Sequence, residues 1–437
     1  MVSTPIRVGI DGFNLALPRG TGVATYARTL SRCLTGMGHK VDVLYGMNIT
    51  HRMSTDLREV IFFDSLGQEV PTRRTKLFSS RWWRERRGDL AGYDAVPIPL
   101  SGRVDARGFT ARMPAHDRLL NVPELFHRAA LHYRYARRFT TVRIPDPPAI
   151  MHWTYPLPIR VTGALNIYTM HDLVPLRLPH TTLDNKSYYF RLIKDLCIQA
   201  DGICTVSEAS KSDIIDFFPQ AAPKIHNTYQ SIAPGHEILE KAETEIAREI
   251  HGAFGLEMDS YFLFFGSFEP KKNIGRVIEG FLESKSSRRL VLVGAMAWKS
   301  EQELRFLERG IQLGRIVKID YLPESLLGAL IRGARAVLFP SLSEGFGLPV
   351  LEAMAFGTAV LTSREGAPRE VAGEDALLVD PYDTAAITDG IDRLDRNDAL
   401  CTRLAAAGPS RAALYDMDHY ARRLGTMYDT VLKAAKR

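Results

Sequence analysis

The sequence predicts an α/β protein of two Rossmann-like domains facing a central cleft, and three observations predict it. Its 437 residues exceed one ordinary core and suit two. Short β-branched apolar runs alternate with longer amphipathic stretches, the pattern of parallel βαβ units. The alternation comes in two blocks, one ending near residue 235 and one beginning near residue 258.

In the first block the strand-like runs are Ile6–Ile10, Val41–Tyr45, Ile150–Trp153, Asn166–Met170 and Gly202–Val206. In the second they are Tyr261–Phe265, Leu290–Val293, Ile316–Ile319, Ala336–Phe339, Ala359–Thr362 and Ala376–Val379. Ala233-Pro-Gly235, followed by the charged, helix-prone Leu239–Ile250, reads as the connection. A first domain over 1–235 and a second over 236–416 follow. In open sheets of this kind ligands sit at the carboxyl ends of the strands. Residues 47–150 fit the pattern poorly and read as an insertion in the first domain. Within them Arg73, Arg74, Lys76, Arg81, Arg84, Arg86 and Arg87 surround Trp82 and Trp83. Cations flanking paired tryptophans suit an anionic membrane surface, and a solvated loop is the alternative reading.

Hydrophobic residues make up 45% and charged residues 24%, an ordinary globular balance. The net charge of +6 is too small to imply nucleic acid but suits anionic substrates. Cys33, Cys197, Cys204 and Cys401 are scattered, which predicts reduced thiols and no zinc site. No apolar run approaches the ~20 residues that span a bilayer. No secretory leader is recognisable, so a cytoplasmic protein is expected, with peripheral contact at the inner membrane face left open.

The richest segment is Phe339-Pro-Ser-Leu-Ser-Glu-Gly-Phe-Gly-Leu-Pro-Val-Leu-Glu-Ala-Met-Ala-Phe-Gly357. A strand ends in a glycine loop, Pro349 opens a helix and Gly357 closes it. Backbone N–H groups around Gly345, Phe346, Gly347 and Leu348, with the helix N-terminus, make an anion site. Glu344 and Glu352 face the same mouth and would repel a phosphate, so hydroxyls of a sugar and a ribose are their expected partners. A simple complement to the helix dipole is the alternative. Lys271 and Lys272, in the turn after Tyr261–Phe265, supply the balancing charge for phosphates.

Two weaker signals come from the first domain. Arg19-Gly20-Thr21-Gly22 lies too far from the first strand for a dinucleotide fingerprint, but reads as a flexible phosphate-meeting lid. His171 and Asp172 end the strand Asn166–Met170, where a cleft residue stands, a satisfied half-buried histidine being the alternative; His152, Trp153 and Tyr155 end the preceding strand and could line an acceptor pocket, with simple aromatic packing an equal alternative.

Together these motifs resemble glycosyltransferase family 4, the retaining family with the GT-B fold. The match is to its Glu-x7-Glu motif at Glu344 and Glu352, its phosphate-binding segment at Gly266–Lys272, its His-Asp pair at His171–Asp172 and its Val-Ser element at Val206–Ser207. Ser267 stands where the family usually carries Arg, with Lys271 supplying the cation. The resemblance implies that Glu344 holds donor-sugar hydroxyls, Glu352 the ribose and Ser207 part of the donor. It implies that the His171 carbonyl lies near the anomeric carbon, and that residues 417–437 form a helix crossing back to the first domain. A metal-independent retaining hexosyltransferase without cofactor is expected, with a nucleotide sugar, first GDP-mannose, as donor. Its acceptor would be a glycan or lipid-linked sugar of bacterial surface polysaccharide, and nucleic acid is not an expected partner. A nucleotide-sugar 2-epimerase and a non-enzymatic nucleotide-binding scaffold are the competing readings.

Overall fold

The computed structural model describes residues 5–17, 22–50, 52–68, 88, 91–109, 113–232, 235–296 and 304–436. Strands β1 (Arg7–Asp11), β2 (Lys40–Tyr45), β3 (Tyr93–Asp94), β4 (Val96–Ile98), β5 (Arg118–Asn121) and β6 (Thr140–Arg143) come first. They are followed by β7 (Ile150–Trp153), β8 (Ile159–Val161), β9 (Leu165–Met170), β10 (Gly202–Thr205) and β11 (Ile225–Asn227). Eight of these form one sheet in the order β11-β10-β9-β7-β1-β2-β5-β4. Its pairs are parallel except β4 against β5 at the edge. Pro97 on that edge strand lacks a donor, which an edge tolerates. The strands β3, β6 and β8 form a small parallel sheet of their own.

The stretch 47–150, read from sequence as an insertion in the first domain, contributes strands to both sheets among the described residues. Its strands β4 and β5 extend the first sheet, while β3 and β6 build most of the small one. The basic and tryptophan-bearing residues 73–87 lie outside the described residues.

The second half holds β12 (Tyr261–Phe265), β13 (Arg289–Val293), β14 (Ile316–Ile319), β15 (Ala336–Phe339), β16 (Val360–Ser363) and β17 (Leu377–Val379). They pair in parallel in the order β14-β13-β12-β15-β16-β17, a doubly wound sheet whose order reverses between β12 and β15. Both faces are covered, and β12 is buried at every residue, as its unbroken apolar run Tyr-Phe-Leu-Phe-Phe requires. The first sheet reverses between β1 and β7 in the same manner. The carboxyl ends of these four central strands face the interface between the halves.

The helix Met417–Ala434 returns to the first half. Its Tyr428 hydroxyl lies 2.7 Å from His152 Nδ1, and Val431 packs where a side chain on Gly202 would stand. The crossing segments touch: Ile232 N–H donates to the Tyr415 carbonyl, and the Tyr229 and Tyr415 rings meet edge to face at 5.2 Å. The four cysteines are free and buried. Among the described residues, no helix is long and apolar enough to cross a membrane.

Candidate active site

The two loops that carry the second half's motifs are sewn together. The chain leaves β12 through Gly266 at φ +126°, where a Cβ would sit 2.8 Å from Lys272 Nζ, so a side chain there would displace the lysine. A short 3-10 turn, Pro270–Lys272, follows, and Asn273 turns the chain at φ +62°. The Asn273 amide then donates to the carbonyls of Pro340 and Pro381, and Leu342 N–H donates to the Lys271 carbonyl. The lysine turn and the Glu344 loop are thus one rigid rim.

On that rim Gly347 adopts φ +110°, the left-handed region that favours glycine, and starts the helix Leu348–Ala355. Pro349 sits in the first turn without breaking it. Gly357, at φ +70°, follows the helix end as expected for a C-terminal stop. Glu352 stands one turn into the helix.

Charges converge here. Lys271 Nζ lies 3.7 Å from Asp172 Oδ2, 4.0 Å from Glu344 Oε2 and 4.0 Å from Glu269 Oε2, with its side chain only 18% exposed. Burial alone would lower its pKa, but Glu344, Asp172 and Glu269 outweigh burial and hold the ammonium above its ordinary value. Glu344 is 13% exposed and is pushed up by burial against the pull of Lys271 and Lys272. Its Oε1 is buried without a hydrogen-bond partner. A carboxylate oxygen in that position is an acceptor awaiting a donor. Glu352 is raised to about 7, by burial first and then by Glu324, with Lys272 opposing. Lys272 lies over the Phe339 ring at 5.9 Å and makes no ion pair among the described residues.

Across the cleft, the first half presents His171 and Asp172 at the end of β9. The His171 Nε2–H donates to the Thr154 carbonyl at 2.9 Å, which fixes its tautomer, and its ring meets Tyr26 edge to face. Burial lowers its pKa, so the imidazole is neutral. Asp172 Oδ1 accepts from Val174 N–H while Oδ2 faces Lys271. A Cβ on Gly345 would sit 2.5 Å from the His171 carbonyl oxygen, so only glycine allows this approach of the two halves. Tyr155 lies on the same side, against Phe13 at 5.8 Å, and is pushed up to about 12 by burial and by Asp184 and Asp172.

Several expected contacts are redirected. His152 is fully buried between the Tyr428 hydroxyl and Thr169 Oγ1, at 2.7 and 2.8 Å, and burial holds it at about 3. Trp153 is fully buried, donates to Asn166 Oδ1 and stacks on Tyr168. Neither side chain reaches the cleft: successive residues of a strand point to opposite faces, and both faces of this strand are covered. Ser207 caps the helix Glu208–Phe217 by accepting from Ser210 N–H. Ser267 donates to Glu269, and the Phe346 ring packs on Tyr415 and Tyr229. Gly22 is exposed at the start of the helix Gly22–Gly36, while Gly20 and Thr21 lie outside the described residues.

Sequence reasoning missed Asp11, at the end of β1. It is fully buried, accepts N–H bonds from Thr154 and Phe13, and is raised to about 6 by burial. A charged residue closing an apolar strand before glycine was the available signal. Ser210 and Glu370 were missed too, and nothing in their local sequence marks them.

Residues 247–411 match the family described as Glycosyl transferases group 1. O-antigen chain mannosyltransferase B of Escherichia coli is 30% identical over 268 residues, spanning 60% of this chain and 69% of that protein. The MMP alpha-(1->4)-mannosyltransferase of Mycolicibacterium hassiacum is 28% identical over 414 residues, 90% of either chain. The crystal structure of Anabaena Alr3699/HepE in complex with UDP-glucose aligns with a TM-score of 0.64 at 12% identity. That alignment covers 98% of this chain and 99% of the other, a likeness of fold alone. This chain has the GT-B fold and belongs to the group 1 glycosyltransferases, a family of retaining hexosyltransferases.

Proposed function

We propose that the enzyme moves a mannose from GDP-mannose to a glycan or lipid-linked acceptor in surface polysaccharide assembly. The donor lies on the second half, residues 236–416, and the acceptor on the first, residues 1–235, with 417–437 tying the two together. The observation that carries the donor site is the buried, unpartnered Glu344 Oε1 beside Lys271, on a rim that ends in a helix N-terminus. Glu344 takes hydroxyls of the donor sugar and Glu352 those of the ribose. Lys271, Lys272 and the N–H groups of Gly345–Leu348 take the diphosphate. The choice of mannose is supported by the printed activities of the two relatives, both mannosyltransferases.

In this reading the demanding event is departure of the nucleoside diphosphate, and fixed cations with helix-end N–H groups stabilise its developing charge. Lys271 exchanges its contacts with Asp172 and Glu344 for phosphate oxygens. The acceptor hydroxyl attacks from the face the diphosphate leaves, its proton passing to a departing phosphate oxygen, so positioning replaces a protein nucleophile. The His171 carbonyl supports positive charge at the anomeric carbon. Tyr155 remains at the acceptor side, and His152 and Trp153 no longer do. A panel of GDP-mannose, UDP-glucose and UDP-galactose, scored for slow hydrolysis without acceptor, tests the donor. Release of GDP fastest by at least about tenfold is expected; preference for a UDP sugar overturns mannose from GDP, and an epimer without hydrolysis overturns transfer.

A further inference from the structure

The helix Glu208–Phe217 of the first half begins at the cleft, and its first turn has an unusual set of partners. The opening N–H groups of any helix have no partner within it. Here the Glu208 and Ala209 N–H groups donate to the two oxygens of Glu370, at 2.8 and 2.9 Å. Glu370 belongs to the helix Gly366–Ala372 of the second half. The next N–H, of Ser210, donates to Ser207 Oγ within the first half. One half's helix is therefore capped by the other half's carboxylate. A bidentate, charge-assisted pair of this kind is directional as well as attractive.

Glu370 is itself held. Arg411 donates to the Glu370 carbonyl at 2.6 Å and to the Val371 carbonyl at 2.7 Å, which fixes the C-terminal end of that short helix. Ser210, next along from the capped residues, is buried and spans the same gap. Its hydroxyl donates to the His171 carbonyl at 2.7 Å, with the Gly345 carbonyl also within reach at 3.2 Å. It accepts in turn from Ser207 Oγ at 3.0 Å. A serine hydroxyl has one proton to give, so this one is shared between a first-half carbonyl and the glycine loop of the second.

We propose that Ser210 and Glu370 are positioning residues, Glu370 docking the helix Glu208–Phe217 on the second half so that the Ser210 hydroxyl fixes His171 against the Gly345 loop. The proposal rests on the donor reading above only in making that loop the place where donor is held. It requires the halves to approach closely, which the absent Cβ of Gly345 permits. Neither side chain needs to touch substrate; both set where the touching groups stand.

The test uses the full chain and whichever nucleotide sugar of the panel it hydrolyses fastest. Ser210→Ala is expected to lower kcat at least about tenfold while donor KM stays within about twofold, since ground-state contacts are intact. Glu370→Ala is expected to speed hydrogen exchange of the Glu208 and Ala209 amides at least about tenfold. Glu370→Gln keeps one acceptor oxygen and sets its NH2 against the other N–H, so it should restore protection of only one of the two amides, a selectivity that a purely packing role would not produce. Unchanged kcat in Ser210→Ala, or unchanged exchange in Glu370→Ala, overturns the proposal. Glu344→Ala run in parallel separates the two ideas. Wild-type turnover there sinks the donor reading, and the exchange measurement then decides the latch by itself.

Discussion

Glu352 carries a proton to an unusually high pH, about 7, because its carboxyl is buried in a helix turn beside Glu324. A hydroxyl of the donor can be accepted by the ionised form with both oxygens, so donor capture in our reading needs the proton gone. Below about pH 7, kcat/KM should therefore fall by about tenfold per pH unit, a limb set by the free enzyme. Glu352→Gln should flatten that limb while lowering the plateau. The stability sign is opposite. A carboxyl whose folded pKa exceeds its ordinary 4.5 binds its proton more tightly in the fold. The fold then loses stability as pH rises from about 4.5 to about 7 and loses no more beyond. Glu352→Gln should accordingly raise Tm at pH 8 and leave it unchanged near pH 4.5, checked by thermal melts at both values. In our reading Glu344 meets donor hydroxyls and Lys272 the diphosphate charge, and Glu344→Ala or Lys272→Ala should cut turnover by about 100-fold or more. Wild-type rates in both would remove the donor-site assignment.

At the scale of elements, the glycine loop before the helix Leu348–Ala355 is the part with least latitude. Gly345→Ala places a methyl 2.5 Å from the His171 oxygen, so the halves must part. Turnover should fall by about 100-fold, while the melting curve of either half stays close to wild type, because the clash is relieved by opening. An equally active Gly345→Ala would mean the contact is dispensable. The C-terminal helix makes a different prediction. Tyr428→Phe leaves His152 with an unmet polar atom in a dry core and should cost about 1–3 kcal/mol, read from denaturant melts. These elements differ in how legible they were. The strands β7, β12, β14 and β15 were readable to the residue, since each is a short run of apolar residues, interrupted only by His152 in β7 and Lys318 in β14. Strands β3, β4, β5, β6 and β8 were not, being two to four residues long and placed in an Arg-rich stretch without regular spacing. The Glu344 and Lys271 loops were legible because their chemistry is local. His152 and Trp153 were misplaced because a strand end looks the same in sequence whether its side chains meet solvent or core. Ser210 and Glu370 lie 160 residues apart in the chain and acquire meaning only when the halves meet.

For the whole molecule, our reading divides the site between two sheets, so donor binding is expected to be coupled to the approach of the halves. A nucleoside diphosphate that bridges the rim and the opposing half stabilises only the approached arrangement. At about a hundred times its Kd, GDP should add about 2.7 kcal/mol of stability, and UDP at the same concentration less than about 1 kcal/mol. Equal shifts for both would overturn the guanine preference.

The chain passes between the halves twice, and the two passages lie side by side, joined by the Ile232–Tyr415 hydrogen bond and the Tyr229–Tyr415 ring contact. A single tether would let one half swivel, twist and slide relative to the other. A doubled one, cross-linked in this way, restrains all three motions, as a second pin restrains a hung door. In our reading, reaching the productive alignment is then a narrower search than a single tether would leave.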